Sequence, residues 1–493
     1  MATKYAGKMN APDFPSSVQW LNTPRPLTLE DFKGKLLLLD FWTYCRISCM
    51  QVITALRRLE SRYPTELAVV GVHSAKFNEE RATDNIRMAI VRYGVSHPVV
   101  NDASMEIWRS YAVHAWPTLL FVDPTGKVIG RTEGELTLEQ GVQLVDEMLA
   151  KFREDGTLHP GRAVFEEEPS PLSILRFPGK IVADAETERL FIADSGHHRV
   201  LVTDLEGTVQ TIIGSGEEGL VDGVLEGARF AGPQGMAVAG DALYVADTEN
   251  HAIRYVDLEA GVVETIAGTG RAGAGRVEGG QALEVDLRSP WDLTLVGRSL
   301  YVAMAGSHQI WTLDLDTHVM QAAVGTGAEG IIDGPPEEAA LAQPSGITAD
   351  EDDVLYFADS ETSSIRSADL VSAHHVATLV GEGLFDFGDQ DGDGARAKLQ
   401  HPLGVDYADG FVYVADTYNH KIKRIGAETR IVATLAGSGS AGLEDGTLTQ
   451  ASFYEPGGLS VAEGLVYVAD TNNHAVRVID LGEGRVRTLR VDL

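Results

Sequence analysis

The sequence predicts an α/β domain over residues 1–152, then a linker over 153–172, then an all-β domain of six four-stranded units over 173–493. Two patterns and one compositional fact predict this. Up to Phe152, apolar strand-like runs alternate with amphipathic stretches of helical period, the mark of an α/β layer structure. From Ile174 onward the helical period disappears and one short unit returns six times. The chain also carries 52 glycines with only 7% aromatics, a balance that many short strands and tight turns would produce.

In the first domain the strand KLLLLDFW is followed by a helix over CMQVITALRRLESRY, the strand ELAVVGVHS and a helix over ATDNIRMAIVRYG. TLLFVD and KVIGRTEG form a hairpin around Pro124, Thr125 and Gly126, residues suited to a turn. A last helix is expected from Leu136 to about Phe152. The next stretch, with the acidic run Glu166–Glu168 and several prolines, reads as a linker.

The repeat reads LFIADSGHHRV at Leu190, LYVADTENHAIR at Leu243, LYVAMAGSHQIW at Leu300, LYFADSETSSIR at Leu355, VYVADTYNHKIK at Val412 and VYVADTNNHAVR at Val466. Each copy follows a proline-containing strand start such as GPQGMAV or HPLGVDY, and most precede a strand ending in Gly-x-Gly. Four strands per unit make a sheet that cannot bury both faces alone, so six units are expected to close into a β-propeller. The last unit ends in its own fourth strand, RVRTLRVDL, so no exchanged strand is expected to close the ring.

The formal net charge of −32, from 40 Lys+Arg and 72 Asp+Glu, disfavours nucleic acid and anionic membranes as partners. Cys45 and Cys49 are the whole thiol inventory, which suits a reducing compartment rather than a disulfide scaffold. The N-terminus lacks an apolar core of signal-peptide length, and no apolar run is long enough to span a bilayer. A cytoplasmic protein without cofactor or metal is expected.

Two sets of repeat residues invite a metal reading. His251, His420 and His474 recur at equivalent places, so packing or bonding to a neighbouring blade explains them better than ligation. Asp389-Gln-Asp-Gly-Asp-Gly394 resembles the start of a calcium loop, but the spacing from Asp391 to Ala397 and Pro402 repeats at Asp222, Asp333 and Asp445. It is therefore read as an inter-blade turn. Met304, Ser363-Ser364 and Gly196-His197-His198 depart from the repeat, which makes them candidate contact positions or simple drift.

The chemistry-bearing segment is Leu39-Asp40-Phe41-Trp42-Thr43-Tyr44-Cys45-Arg46-Ile47-Ser48-Cys49, at a strand end opening a helix. It resembles the active-site segment of the thioredoxin superfamily, Asp-Phe-Trp-x-x-Trp-Cys-x-x-Cys. The resemblance implies Asp40 as the buried acid and Cys49 as the resolving cysteine, with Cys45 at the aromatic position and Arg46 where the attacking cysteine belongs. An arginine cannot attack a disulfide, and at the positive end of a helix it suits an acidic partner group. His114-Ala115-Trp116-Pro117-Thr118 matches the superfamily's cis-proline element, which implies that Trp42, Arg46, Trp116 and Pro117 line the substrate face.

Both halves together resemble the NHL repeat-containing protein 2 family, over essentially the whole chain. The fold implied is a thioredoxin-like domain followed by a six-bladed NHL β-propeller. That family carries Phe-Trp-Thr-Tyr-Cys-Cys-Ile-Asn-Cys, where this chain has Arg46 for the middle cysteine and Ser48 for the asparagine. A further C-terminal β-domain of the animal members is expected to be absent from this chain, which ends at Leu493.

Three functions fit. In the first, the protein is a thiol–disulfide oxidoreductase using Cys45 and Cys49, with the propeller selecting a protein partner. Were both helical, residues four apart would lie about 6 Å apart, within disulfide range, although Cys45 is expected to precede the helix. In the second, both thiols are buried and inert and the chain is an interaction scaffold that grips a protein or peptide in an inter-domain cleft or on a propeller face. The third places a lactonase-like or lyase-like metal site in the propeller.

Overall fold

The computed structural model describes residues 5, 7, 9–161, 165–170, 172–273 and 279–492. The chain divides into two compact units, Met1–Pro171 and Leu172–Leu493.

In the first unit, β1 (Met9–Asn10), β2 (Gln19–Leu21), β3 (Leu36–Trp42), α1 (Ile47–Arg62), β4 (Leu67–His73), α2 (Thr83–Arg92), β5 (Val99–Asn101), α3 (Glu106–Ser110), β6 (Thr118–Val122), β7 (Lys127–Glu133) and α4 (Leu138–Glu154) follow in order. They build one sheet of order β1-β7-β6-β3-β4-β5-β2. β3 lies at its centre, parallel to β4 and antiparallel to β6. Its unbroken run Leu-Leu-Leu-Leu-Asp-Phe-Trp is what a strand buried on both faces requires.

Side chains alternate across a strand, so β3 feeds two cores. Leu37, Leu39 and Phe41 pack with Ala68, Val70 and Val72 of β4 on one face. Leu36 and Leu38 pack on the other against Val52, Leu56 and Leu59 of α1 and Val145, Met148 and Leu149 of α4. Asp40 and Trp42 continue this second row toward the start of α1.

The foreseen strands and helices all form. The short pieces β1, β2, β5 and α3 were not foreseen, because two to five residues carry too little periodicity to read. α4 starts two residues after the expected Leu136, because Thr137 caps it: its side chain accepts from Gln140 N while Gln140 Oε1 accepts from Thr137 N. The stretch read as a linker stays on the first unit. Phe165 packs on the core, Glu168 N donates to Asn22 Oδ1 (2.8 Å), and Glu168 Oε2 accepts from Arg87 Nε (2.9 Å).

Among the described residues the second unit is six antiparallel sheets, each built on four strands consecutive in sequence, with a short fifth strand at the edge of four of them. Their inner strands start at Ile181, Pro233, Pro290, Pro344, Gly404 and Pro456, and each packs against the next around a closed ring, the sixth against the first. This is the six-bladed propeller expected from the repeats.

The inter-blade turns edge the sheets. Gly223–Val224 pairs with the outer strand of blade 2, and equivalent pairs edge blades 3, 5 and 6. In blade 4, Gly334 bridges Val376. In blade 1 that edge position is taken from the far end of the chain. Asp492 bridges Thr208, accepts from Val209 N (3.0 Å) and donates its own N–H to Gly207 O (3.1 Å). No strand is exchanged, but the C-terminal residues fasten the first blade.

Candidate functional site

β3 ends at Trp42, and Thr43-Tyr44-Cys45-Arg46 leads into α1. Arg46 is the N-cap, half-buried, extended at φ −95° and ψ 122°, with no side-chain capping bond. Cys49 is the third helical residue, and its N–H donates to Arg46 O (3.0 Å). It therefore sits in the first turn, at the positive end of the helix dipole, which favours a thiolate. Cys45 precedes the helix. Both sulfurs are free thiols and fully buried.

The Cys45 loop is clamped by Glu80, a fully buried carboxylate just before α2. One oxygen accepts from Thr43 Oγ1 (2.5 Å) and Cys45 N (3.0 Å), the other from Lys76 N (3.0 Å) and Phe77 N (2.9 Å). The Thr43 hydroxyl proton is thereby committed to Glu80. Thr43 Oγ1, 3.6 Å from Cys45 Sγ, is left to accept from the Cys45 S–H, which favours the neutral thiol there.

Beneath the start of α1 lies a buried polar row. Asp40 and Trp42 of β3 are register partners of Gly71 and His73 of β4, on the α1 face. Asp40 is fully enclosed, and neither oxygen has a hydrogen-bond partner among the described residues. Burial pushes its carboxyl up to about 7, the nearby His97 opposing and Glu60 adding to the shift. His73 is also enclosed, stacked on Tyr44 (5.4 Å) and edge-on to Trp42 (5.0 Å). Burial holds it down at about 3, hence neutral. His97, just before β5, bonds through Nδ1 to Glu60 Oε2 of α1 (3.1 Å). Its burial would lower its pKa, but the Glu60 and Asp40 carboxylates outweigh that and raise it.

The Trp116–Pro117 peptide bond is cis. Phe41 pairs with Thr118 and Asp40 with Leu119, so Pro117 lies next to the end of β3 and the Cys45 loop. Trp116 is half-buried, its ring 4.5 Å from that of Trp108. The structure thus gathers Asp40, Trp42, Cys45, Arg46, Cys49, Trp116 and Pro117 at one end of the sheet. Sequence reasoning missed Glu80, His73, Glu60 and His97. The available signal was polar residues placed where strands or their flanks are otherwise apolar, as in ELAVVGVHS and SHPVV.

In the propeller the repeat residues are fasteners. His198, His251, His308, His420 and His474 each stand at φ 50° to 54° and accept through Nδ1 from a backbone N–H of the next blade. In the last case the acceptor reaches Phe177 N of blade 1 and closes the ring. Ser363 does the same work in blade 4, its Oγ accepting from His401 N (3.1 Å). Thr471 Oγ1 donates to Pro178 O (2.8 Å), as Thr248 does to Pro290 O and Thr417 to Pro456 O.

In every unit but the third the repeat Asp is a buried ion-pair partner. Asp247 binds Arg254 (2.9 Å), Asp359 binds Arg366 (3.1 Å) and Asp470 binds Arg477 (3.1 Å), and the inter-blade Asp222, Asp333 and Asp445 hold the other side of each guanidinium. In blade 5, Lys423 takes this place between Asp389 and Asp391, so the calcium-like run is an internal ion-pair turn.

Two departures from the repeat are corrected by this geometry. Met304 is buried in one cluster with Trp311, which stands where other blades have the arginine, so the whole ion pair is replaced by an apolar pair. Ser363 and Ser364 are also buried. None of these three is a contact position. Among the described residues no group of three or more His, Cys, Asp or Glu is placed to hold a metal. The channel cavity of about 220 Å³ contains Asp292 paired with Lys180 (3.2 Å) and Asp406 satisfied by Val461 N and Thr348, so its charged groups are already engaged.

Comparison with known proteins agrees with both halves. Residues 34–128 match the family described as Thioredoxin-like, and residues 230–254, 399–425 and 453–479 match the NHL repeat. NHL repeat-containing protein 2 of Bos taurus is 41% identical over 508 residues, covering 95% of this chain and 70% of the bovine one. The chain belongs to the NHL repeat-containing protein 2 family. Protein SUPPRESSOR OF QUENCHING 1, chloroplastic, of Arabidopsis thaliana is 45% identical over 500 residues, 96% of this chain. This NHL repeat-containing protein 2 family chain spans only 47% of the length of that plant relative. Over its first unit it is also similar to the thiol-disulfide oxidoreductase ResA of Bacillus cereus, 31% identical over 117 residues, 24% of this chain and 65% of that one. Among the described residues no helix is long and apolar enough to cross a membrane.

Proposed function

We propose that the first unit is a thiol–disulfide exchange domain whose redox pair is Cys45 and Cys49, and that the propeller binds the protein partner it acts on. The observation that carries this reading is Asp40. A carboxyl buried without a hydrogen-bond partner among the described residues costs several kcal/mol when ionised. Its place in the row beneath the first turn of α1 suits a group that takes and returns the Cys49 proton. With a pKa near neutrality it is equally able to do either.

In the exchange, Cys45 and Cys49 join as two electrons and two protons leave them, and a partner disulfide receives both and becomes two thiols. Asp40 serves as acid and base. Arg46 and Trp116 bind the partner's chain beside the cis Pro117, and Arg46 suits an acidic group in it, whereas Trp42, expected on the substrate face, is fully buried and packs edge-on to His73. The name of the Bacillus relative supports the same class of chemistry for the first unit. A reducing compartment, with the cytoplasm as the default, suits a chain with two cysteines. The chloroplastic label belongs to the plant relative alone.

The second reading, a scaffold without catalysis, is favoured by the complete burial of both sulfurs and by Arg46 at the helix N-cap. Incubating the reduced full-length protein with glutathione disulfide, quenching in acid, alkylating and mapping peptides separates the two. Exchange predicts a Cys45–Cys49 disulfide in the folded protein. The scaffold predicts two thiols that are alkylated only after unfolding.

A further inference from the structure

Behind the cysteine pair, the α1 face of the sheet carries an ionisable set that the exchange step does not itself use. His97 is enclosed. Its Nδ1 is bonded to Glu60 Oε2 at 3.1 Å, while its Nε2 is buried with no hydrogen-bond partner among the described residues. Nε2 faces the one position on β4 that is a glycine. A Cβ on Gly71 would lie 3.4 Å from His97 Nε2 and 2.9 Å from Trp42 Nε1, and Gly71 is the register partner of Asp40. The glycine leaves the space beside Nε2 free of a side chain, and Asp40, its register partner on the same face, is not hydrogen-bonded to the imidazole, so a proton transfer between them needs one bridging water. At the other end, the Glu60 side chain is 21% exposed and reaches water.

We propose that Asp40, His97 and Glu60 form a proton path from the buried carboxyl under the α1 N-terminus to solvent at Glu60, an inference that rests on the thiol-exchange reading above. When an external thiolate attacks Cys45 in the oxidised pair, the new S–S bond forms at Cys45 and the Cys45–Cys49 bond breaks. Its electron pair goes to Cys49, which takes the Asp40 proton. Glu60 takes a proton from water and passes it to His97 Nδ1, the imidazolium gives its Nε2 proton to Asp40 across one bridging water, and His97 is left protonated at Nδ1. The oxidising half-reaction runs the same transfers outward, which returns the imidazole to its starting tautomer.

Glu60 follows Cys49 by eleven residues on α1, about 16 Å along the helix. The proton therefore leaves away from Arg46 and Pro117, where a bound partner would exclude water. Among the described residues, other titratable or charged groups on this side include His73 of β4, held neutral between Tyr44 and Trp42, Arg57 of α1, which lies over Gly94, and Tyr63, whose hydroxyl accepts from Arg62 and donates to Asp146 Oδ1 (2.8 Å). None interrupts the Asp40–His97–Glu60 sequence.

The test is the rate at which dithiothreitol reduces the oxidised pair of the full-length protein between pH 5 and pH 9, in wild type, Glu60→Gln and His97→Gln. The path predicts at least a tenfold slower reduction near pH 7 in both variants. The deficit should shrink toward low pH, where protons are abundant. A merely structural role would scale the rate equally at every pH, and variant profiles that parallel or overlay wild type overturn the path while leaving the exchange reading intact. A wild type that forms no Cys45–Cys49 disulfide overturns the exchange reading, and the path with it. Should His97→Gln not fold, Glu60→Gln at its partly exposed position carries the test alone.

Discussion

Replacing Asp40 by Asn isolates what the buried acid costs the fold. In the unfolded chain the carboxyl titrates near 3.8, and in the folded protein at about 7. Between these values the native state holds a proton that the unfolded state has lost, so the group makes stability fall as pH rises from about 4 to about 7. The gap of about three pKa units corresponds to roughly 4 kcal/mol, fully present above pH 7 and absent below pH 4. The amide cannot ionise. Asp40→Asn should therefore gain stability over wild type at pH 8, by up to about 4 kcal/mol less the amide's own desolvation, and gain almost nothing at pH 4. Native-state hydrogen exchange of the β3 and α1 peptides in the full-length protein, followed by mass spectrometry in low urea, confines the measurement to the first unit. An equal change at both pH values would refute the claim that Asp40 is held unpaired against an electrostatic penalty.

Three further perturbations bear on the rest of the structure. Glu80→Gln leaves some of the Thr43, Cys45, Lys76 and Phe77 donors without acceptors, about 1–3 kcal/mol of local stability. Iodoacetamide should then label Cys45 about ten- to a hundredfold faster, with Cys49 changing less. Arg366→Met strands Asp359 in blade 4 and should cost about 3–5 kcal/mol in urea unfolding. Asp359→Met with Arg366→Trp, the pairing that blade 3 uses, should recover most of it. His474→Ala leaves Phe177 N without its ring-closing acceptor, and hydrogen exchange at the start of blade 1 should accelerate by the equivalent of about 1–3 kcal/mol.

What the sequence revealed follows the range of the interactions involved. The repeats and the α/β alternation are local patterns, and they led to both architectures. The segment from Asp40 to Cys49 is contiguous, so its place at the end of β3 was readable. Glu60 lies about three turns beyond Cys49 on α1, Glu80 and His97 reach the site from outside β3 and α1, and nothing in their own neighbourhoods says that the chain will fold them onto Cys45 or Asp40. Met304 shows the same limit in the propeller. Alone it looks like a lost aspartate. Only the hairpin register, which sets Trp311 diagonally across from it, shows that a whole ion pair has been exchanged for an apolar one. The linker shows the same limit, since its acidic, proline-rich composition does not disclose that Phe165 packs on the first unit's core and that Glu168 bonds to Asn22.

The central claim is that Cys45 and Cys49 are a working redox pair. An equilibrium titration of the full-length protein across graded glutathione potentials, read by differential alkylation and mass spectrometry with Cys45→Ser as control, tests it most directly. The account predicts a reversible two-electron transition between about −300 and −120 mV that yields the Cys45–Cys49 disulfide and vanishes in the control. Two thiols that remain reduced across the whole range until the fold is lost would contradict it and leave the chain an interaction scaffold.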